Sequence, residues 1–212
     1  MGAALLTLPC FGFPAPQSGD ILNDLTATTA GELTGSYLAQ DFLANAGGGI
    51  VGVTLDLNFS AGASPLGVYL YNSLGSGPTT PFTGFSYFGL LGTITPTGAG
   101  AQDYTVNLIN SFGVTSGQYY SILIDTTLAT GTVAWEYATA SDAAAANSAN
   151  SATGTFLQAY QYNGVSWTAL VGGDLGSPTF QLEVVPEPST TAFIGFGGVA
   201  LILVQRLRRK KI

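Results

Sequence analysis

Ile50-Val51-Gly52-Val53-Thr54-Leu55-Asp56-Leu57-Asn58-Phe59 alternates apolar side chains with small or polar ones almost from end to end. Val51, Val53, Leu55, Leu57 and Phe59 fall on one side of an extended chain, and Gly52, Thr54, Asp56 and Asn58 on the other. Successive strand side chains point to opposite faces, so this stretch reads as a strand with one face in a core and one in water. Strands of that kind belong to antiparallel sheets.

The pattern recurs outward in both directions. Residues 66–71 set Leu66, Val68 and Leu70 against Tyr69 and Tyr71, and residues 103–109 alternate through Tyr104, Val106 and Leu108. Residues 132–138 place Val133, Trp135 and Tyr137 together, and residues 179–185 turn Phe180, Leu182 and Val184 inward. Residues 21–25, 36–42, 118–125, 155–162 and 165–170 supply further strands. Residues 85–94, interrupted by Gly89 and Gly92, read as one bulged strand or two short ones. Asn163-Gly164 predicts a type I′ hairpin turn. Gly172-Gly173-Asp174 and Gly176-Ser177-Pro178 read as turns, and residues 141–153, with four consecutive alanines but no apolar stripe, as a loop. Many short strands and no amphipathic helix predict an all-β domain over residues 17–185: an antiparallel β-sandwich, jelly-roll-like.

Charge narrows the chemistry. All five basic residues, Arg206, Arg208, Arg209, Lys210 and Lys211, lie at the chain end, and the chain contains no His. Eleven of the twelve acids lie within residues 17–185, the twelfth being Glu187. A body with eleven acids and no base forms no side-chain salt bridge and repels nucleic acid and anionic surfaces. It also lacks the residues for a His-based triad, a Schiff-base lysine or a phosphate clamp. Paired carboxylates remain conceivable for glycoside hydrolysis, but Asp56, Asp125, Glu136 and Glu183 occupy the outward positions of their strands. We therefore expect no enzyme, no metal site and no cofactor. Cys10, the sole cysteine, has no partner for a disulfide. Aromatics are the better candidates for binding: Trp135, Tyr137, Tyr160, Tyr162 and Trp167 stack on sugar rings if exposed, or pack in the core and across strands if not. Ice binding would need regular ranks of Thr, and no short repeat arranges them here.

The C-terminus is a different material. Val185-Pro186-Glu187-Pro188-Ser189 leads into the uncharged stretch 192–204, and Arg206 to Lys211 are basic except for Leu207. As a helix, residues 192–204 would span about 20 Å at 1.5 Å per residue, and residues 189–207 about 28 Å, near the roughly 30 Å of a bilayer core. The basic tip would then stay cytoplasmic and the body would face out. A buried terminal helix or final strand is the alternative.

In this order, the Pro186-Glu187-Pro188 triplet, the short Gly-containing helix and the basic tip resemble the PEP-CTERM sorting signal of exported bacterial proteins. The resemblance covers residues 186–212 only. It implies recognition by an exosortase, a membrane protease that removes the helix and tip. It also implies passage through the inner membrane to the cell surface or an exopolysaccharide matrix. The two prolines hold the backbone around Glu187 extended, as suits a protease substrate.

Residues 1–16 begin MGAALLTLPCFGFPAP, an apolar run without a basic n-region. We read them as the remnant of a signal peptide whose true start lies upstream, or else as a first strand. The expectation is an exported, non-catalytic surface or matrix protein, with a carbohydrate-binding module as the alternative. Intact-mass analysis of the protein recovered from its host's separated membranes should find a form ending between Pro186 and Ser189, outside the inner membrane. A full-length form held in the inner membrane would instead make the tail a plain anchor.

Overall fold

The computed structural model describes residues 21–22, 29–73, 85–139, 141, 154–169, 175–178 and 180–186. The N-terminal segment 1–16, most of the loop 141–153 and the expected membrane helix 189–207 lie outside these residues. Among the described residues the elements are thirteen strands in two antiparallel sheets, and no helix is long and apolar enough to cross a membrane.

The first sheet is built on β4 (Gly48–Phe59). One edge of β4 pairs along its whole length with β7 (Gly100–Val114). The opposite edge pairs with β13 (Phe180–Pro186) over residues 48–55, then with β9 (Val133–Thr139) over residues 57–59. The far side of β9 carries β2 (Thr29–Thr34). Two short strands complete the sheet: β1 (Ile21–Leu22) beside β13, and β12 (Leu175–Pro178) beside the end of β9. The second sheet runs β11 (Trp167–Ala169), β10 (Gly154–Tyr162), β3 (Tyr37–Ala44), β8 (Tyr119–Asp125), β5 (Leu66–Ser73), β6 (Phe85–Ile94). From β2 to β5, and again from β6 to β10, each step along the chain crosses from one sheet to the other.

The inner faces meet in one core. Val53, Leu55, Leu57 and Phe59 of β4 are buried there, as the alternation predicts. Val51 departs from it: Ile50 is fully buried, whereas Val51 is not. Both neighbours of β4 skip Val51, since Gly52 faces Asn107 and Glu183 while Ile50 faces Phe112 and Val184. A bulge at that point reverses the side-chain parity of everything before it. Within the first sheet's inner face Trp135 meets Phe180 edge-on at 5.9 Å and Phe59 meets Tyr104 at 5.0 Å, and within the second's Phe42 stacks on Tyr120 at 5.6 Å.

Residues 85–94 form one bulged strand, the first of the two readings, with register shifts that skip Phe88 and Leu91, each beside one of the glycines. Other elements differ from the sequence pattern. β7 continues past Ile109 to Val114 by means of a shift across residues 108–111. Residues 175–178, turn-like in composition, form β12 because the open edge of β9 offers backbone partners there. Asn163-Gly164 does reverse the chain between β10 and β11, but through a four-residue loop: Tyr162 pairs with Trp167. The Asn163 amide donates to the Ser166 carbonyl, and its side-chain oxygen accepts the amides of Val165 and Ser166, both at 3.0 Å. Gly164 takes the positive φ of 93° that this loop requires.

Trp135 has the largest fully buried side chain. Trp135→Ala should lower the free energy of unfolding by about 3–5 kcal/mol, read as a drop in the urea midpoint. A loss below about 1 kcal/mol would mean that Trp135 is not packed in the core.

Candidate functional site

The face of the second sheet turned away from the core collects the aromatics. In β3, Leu38, Phe42 and Ala44 point into the core, so Tyr37, Ala39, Asp41 and Leu43 point outward. The register extends that assignment across the sheet. Tyr37 lies opposite Tyr162 on one side and Asp125 on the other; Asp125 lies opposite Gly67, and Tyr162 opposite Trp167. One residue pair along, the row is Ala169, Tyr160, Ala39, Leu123, Tyr69 and Leu90. In the next, Asp41, Ser121, Tyr71 and Tyr87 follow one another.

Tyr37, Tyr162 and Trp167 form a cluster with ring centroids 5.4–6.3 Å apart. Tyr69 and Tyr71 flank Tyr87 at 6.2 and 5.7 Å. These rings are half-buried except Tyr87, which is 60% exposed. Tyr69 lies over Gly67, where a Cβ would stand 2.6 Å from the Tyr69 hydroxyl oxygen. The Tyr71 hydroxyl is pushed above its ordinary value, first by burial and then by Tyr87, Tyr69, Tyr37 and Asp125. That set of neighbours spans both clusters.

Of the five aromatics singled out by sequence, Tyr160, Tyr162 and Trp167 belong to this face, with Tyr160 buried in it. Trp135 and Tyr137 do not: Trp135 is fully buried in the core, and Tyr137 packs against the core on β9. Their strand parity sends them inward with Val133. Tyr37 was not singled out, and Tyr69, Tyr71 and Tyr87 join it here. The outward parity of Tyr69 and Tyr71 was readable; the pairing that brings Tyr37 beside Tyr162 was not.

The carboxylates fall on two opposite surfaces. Asp56, Glu136 and Glu183 lie on the outer face of the first sheet, with Glu32 and Asp103, whereas Asp125 lies on the aromatic face. Glu136 is buried in spite of its outward parity. Burial raises the Asp103 carboxyl above its ordinary value. Glu32 accepts a hydrogen bond from Asn58 Nδ2 at 2.6 Å. Among the described residues no group of three His, Cys, Asp or Glu could hold a metal ion. A separate uncharged cleft of about 470 Å³ lies between β6 and β7, lined by Leu90, Leu91, Val106, Leu108 and Phe112 beside the exposed Ile109. Of the residues that resemble a sorting signal, Pro186 ends β13, while Glu187, Pro188, Arg206, Arg208, Arg209, Lys210 and Lys211 lie outside the described residues.

Asp41 is the unusual group of the aromatic face. It is fully buried, and burial lifts its carboxyl from 3.8 to about 7. The hydroxyl of Ser121, its cross-strand neighbour, pulls this back somewhat, yet neither carboxylate oxygen completes a hydrogen bond of normal geometry. Its charge in turn raises the Tyr160 hydroxyl, second to burial.

No family model, curated protein or solved structure matches the chain.

Between its unfolded and folded values the native state keeps the Asp41 proton that the unfolded chain has lost. Stability therefore falls as pH rises from about 4 to about 7, by on the order of 4 kcal/mol in full. Asp41→Asn removes the ionisation. Relative to the wild type, its urea midpoint should be higher at pH 8 and little changed at pH 4. An equal offset at both pH values would show that Asp41 does not titrate in this window.

Proposed function

We propose that the chain is an exported, non-catalytic surface or matrix protein whose sandwich holds polysaccharide against the aromatic face of its second sheet. The observation that carries this is the packed cluster of Tyr37, Tyr162 and Trp167 on one outer face, continued by Tyr69, Tyr71 and Tyr87. Sugar rings present flat C–H surfaces that stack on aromatic faces, and their hydroxyls need acceptors close by. This face offers both, with the Asp125 carboxylate between the clusters.

The winding in this proposal is a jelly roll. Its support is the order β2, β9, β4, β7 in one sheet and β3, β8, β5, β6 in the other. Two interlocked Greek keys give those orders. Such a sandwich presents a broad sheet face, and the placement of Asp125 on a different sheet from Asp56, Glu136 and Glu183 agrees with a binding role.

The tail is the delivery element of the same proposal. β13 reaches the first proline of the Pro-Glu-Pro triplet, with Pro186 paired to Gly48 at the margin of the sheet. A tail leaving from that margin would be open to an exosortase-type protease at the inner membrane. Cleavage would release the body to the surface or an exopolysaccharide matrix.

Native electrophoresis of the sandwich through gels containing galactomannan, xyloglucan, mixed-linkage β-glucan or dextran tests the binding claim. At least one of these neutral polymers should retard the protein. The Trp167→Ala/Tyr162→Ala double variant, with unchanged far-ultraviolet circular dichroism, should migrate as in a blank gel. Wild-type migration unaffected by every polymer, or equal retardation of the variant, would overturn the proposal.

A further inference from the structure

One cross-strand row leads from the first aromatic cluster to the edge of the second, and that line defines the shape and charge of what fits it. The inference rests on the polysaccharide-binding reading above. The row Trp167, Tyr162, Tyr37, Asp125, Gly67 runs perpendicular to the strands, from β11 through β10, β3 and β8 to β5. Gly67 leaves its place in the row to Tyr69, whose ring lies over it. Tyr71 and Tyr87 belong to the row of Asp41 and Ser121, and Tyr87 packs between Tyr69 and Tyr71, so the three rings together broaden this end. From β11 to β6 there are five strand spacings, or about 24 Å.

We propose that this line is a single extended site for an uncharged linear polysaccharide lying across the strands. Trp167, Tyr162 and Tyr37 grip one end of the bound segment, and Tyr69, Tyr71 and Tyr87 the other. An extended pyranose chain advances by about one strand spacing per sugar, so the line takes about five sugars. Asp125 sits between the clusters as the hydroxyl acceptor. Its Oδ1 is held by the amide and hydroxyl of Thr127 at 2.9 and 2.6 Å, which fixes the carboxylate. Uronic, sulfated or phosphorylated chains are excluded by Asp125 and by a body of eleven acids without a base to neutralise them.

Calorimetric titration with oligomers of two to eight sugars, cut from the neutral polymer that retards the protein most, tests the line. Affinity should climb with length and level off near five. The Tyr71→Ala/Tyr87→Ala variant should bind the hexamer about tenfold more weakly, but the trimer within about twofold, because a trimer still fits the Trp167 end. Alginate should not retard the wild type. Full affinity at two sugars, or a hexamer affinity unchanged in the variant, would overturn the line while leaving the Trp167 cluster as a binding site. Retardation by alginate equal to that by the neutral polymer would overturn the charge selection. Absence of retardation by every polymer would overturn the polysaccharide reading and this inference with it.

Discussion

The fold depends on the burial of one stripe of β4. Val53, Leu55, Leu57 and Phe59 are each at most 1% exposed, and three other strands pair along the edges of this one strand. Apolar burial has to carry the structure because the body has no other strong term: without a base it forms no side-chain ion pair, and its eleven acids repel one another. The bulge at Val51 shows how tightly the stripe governs its surroundings. Past that residue β4 keeps an apolar side chain inward by changing parity, and β7 and β13 change register with it. The two sheets stay closed over Ile50, although a regular strand would turn it out.

Where other proteins tie surface turns with ion pairs, this one uses hydroxyls. Ser64 Oγ donates to the Leu128 carbonyl and accepts the Thr130 amide, and Thr130 Oγ1 donates to the Gly62 carbonyl. Ser60 Oγ accepts the Thr132 amide, while the Ser60 amide donates to the Thr132 carbonyl. These bonds fasten the turn before β5 to the turn before β9, two segments about seventy positions apart in sequence, as the 68-residue span of one bond records. Thr54 and Thr105 pair their hydroxyls at 2.8 Å on the outer face of the first sheet. Hydroxyl–hydroxyl and hydroxyl–backbone bonds are neutral, so they add no charge to a surface already strongly acidic.

What the sequence made legible was periodicity, and what it hid was pairing. The alternation of β4, β5 and β13 was plain, and with it the all-β, two-sheet architecture. β2, with the residues TAGELT, and β12, with LGSP, carry no such alternation; they are strands because β9 supplies their backbone partners. Parity also separates the aromatics. Trp135 and Tyr137 follow Val133 inward, whereas Tyr69 and Tyr71 oppose Val68 and Leu70. Tyr37 gave no such signal, because the middle of β3 and of β8 is buried on both faces, with Ala39, Asp41, Ser121 and Leu123 buried outside the core. A strand covered on both sides reads as a continuous run and its outer residues cannot be told from its inner ones.

The register of one hairpin then decides the chemistry of the aromatic face. A two-residue Asn163-Gly164 turn would set Tyr162 against Val165 and move Trp167 opposite Tyr160, one row away from Tyr37. The observed four-residue loop sets Tyr162 against Trp167 instead, and the three rings close into one cluster. Strand parity is the same in both cases, so Trp167 would face outward either way; only its row changes. The side chain that selects the longer loop is that of Asn163, which accepts two amides across it. A local hydrogen-bonding preference at the edge of the sheet thus fixes the alignment of an aromatic row that continues through Tyr37 and Asp125 to β5. Among the described residues the outer face of the first sheet has no comparable row: its strands carry Thr54, Asp56, Asn58, Asp103 and Thr105 there. The two faces of the sandwich therefore differ in kind, one carrying polar and acidic side chains and the other aromatic rings.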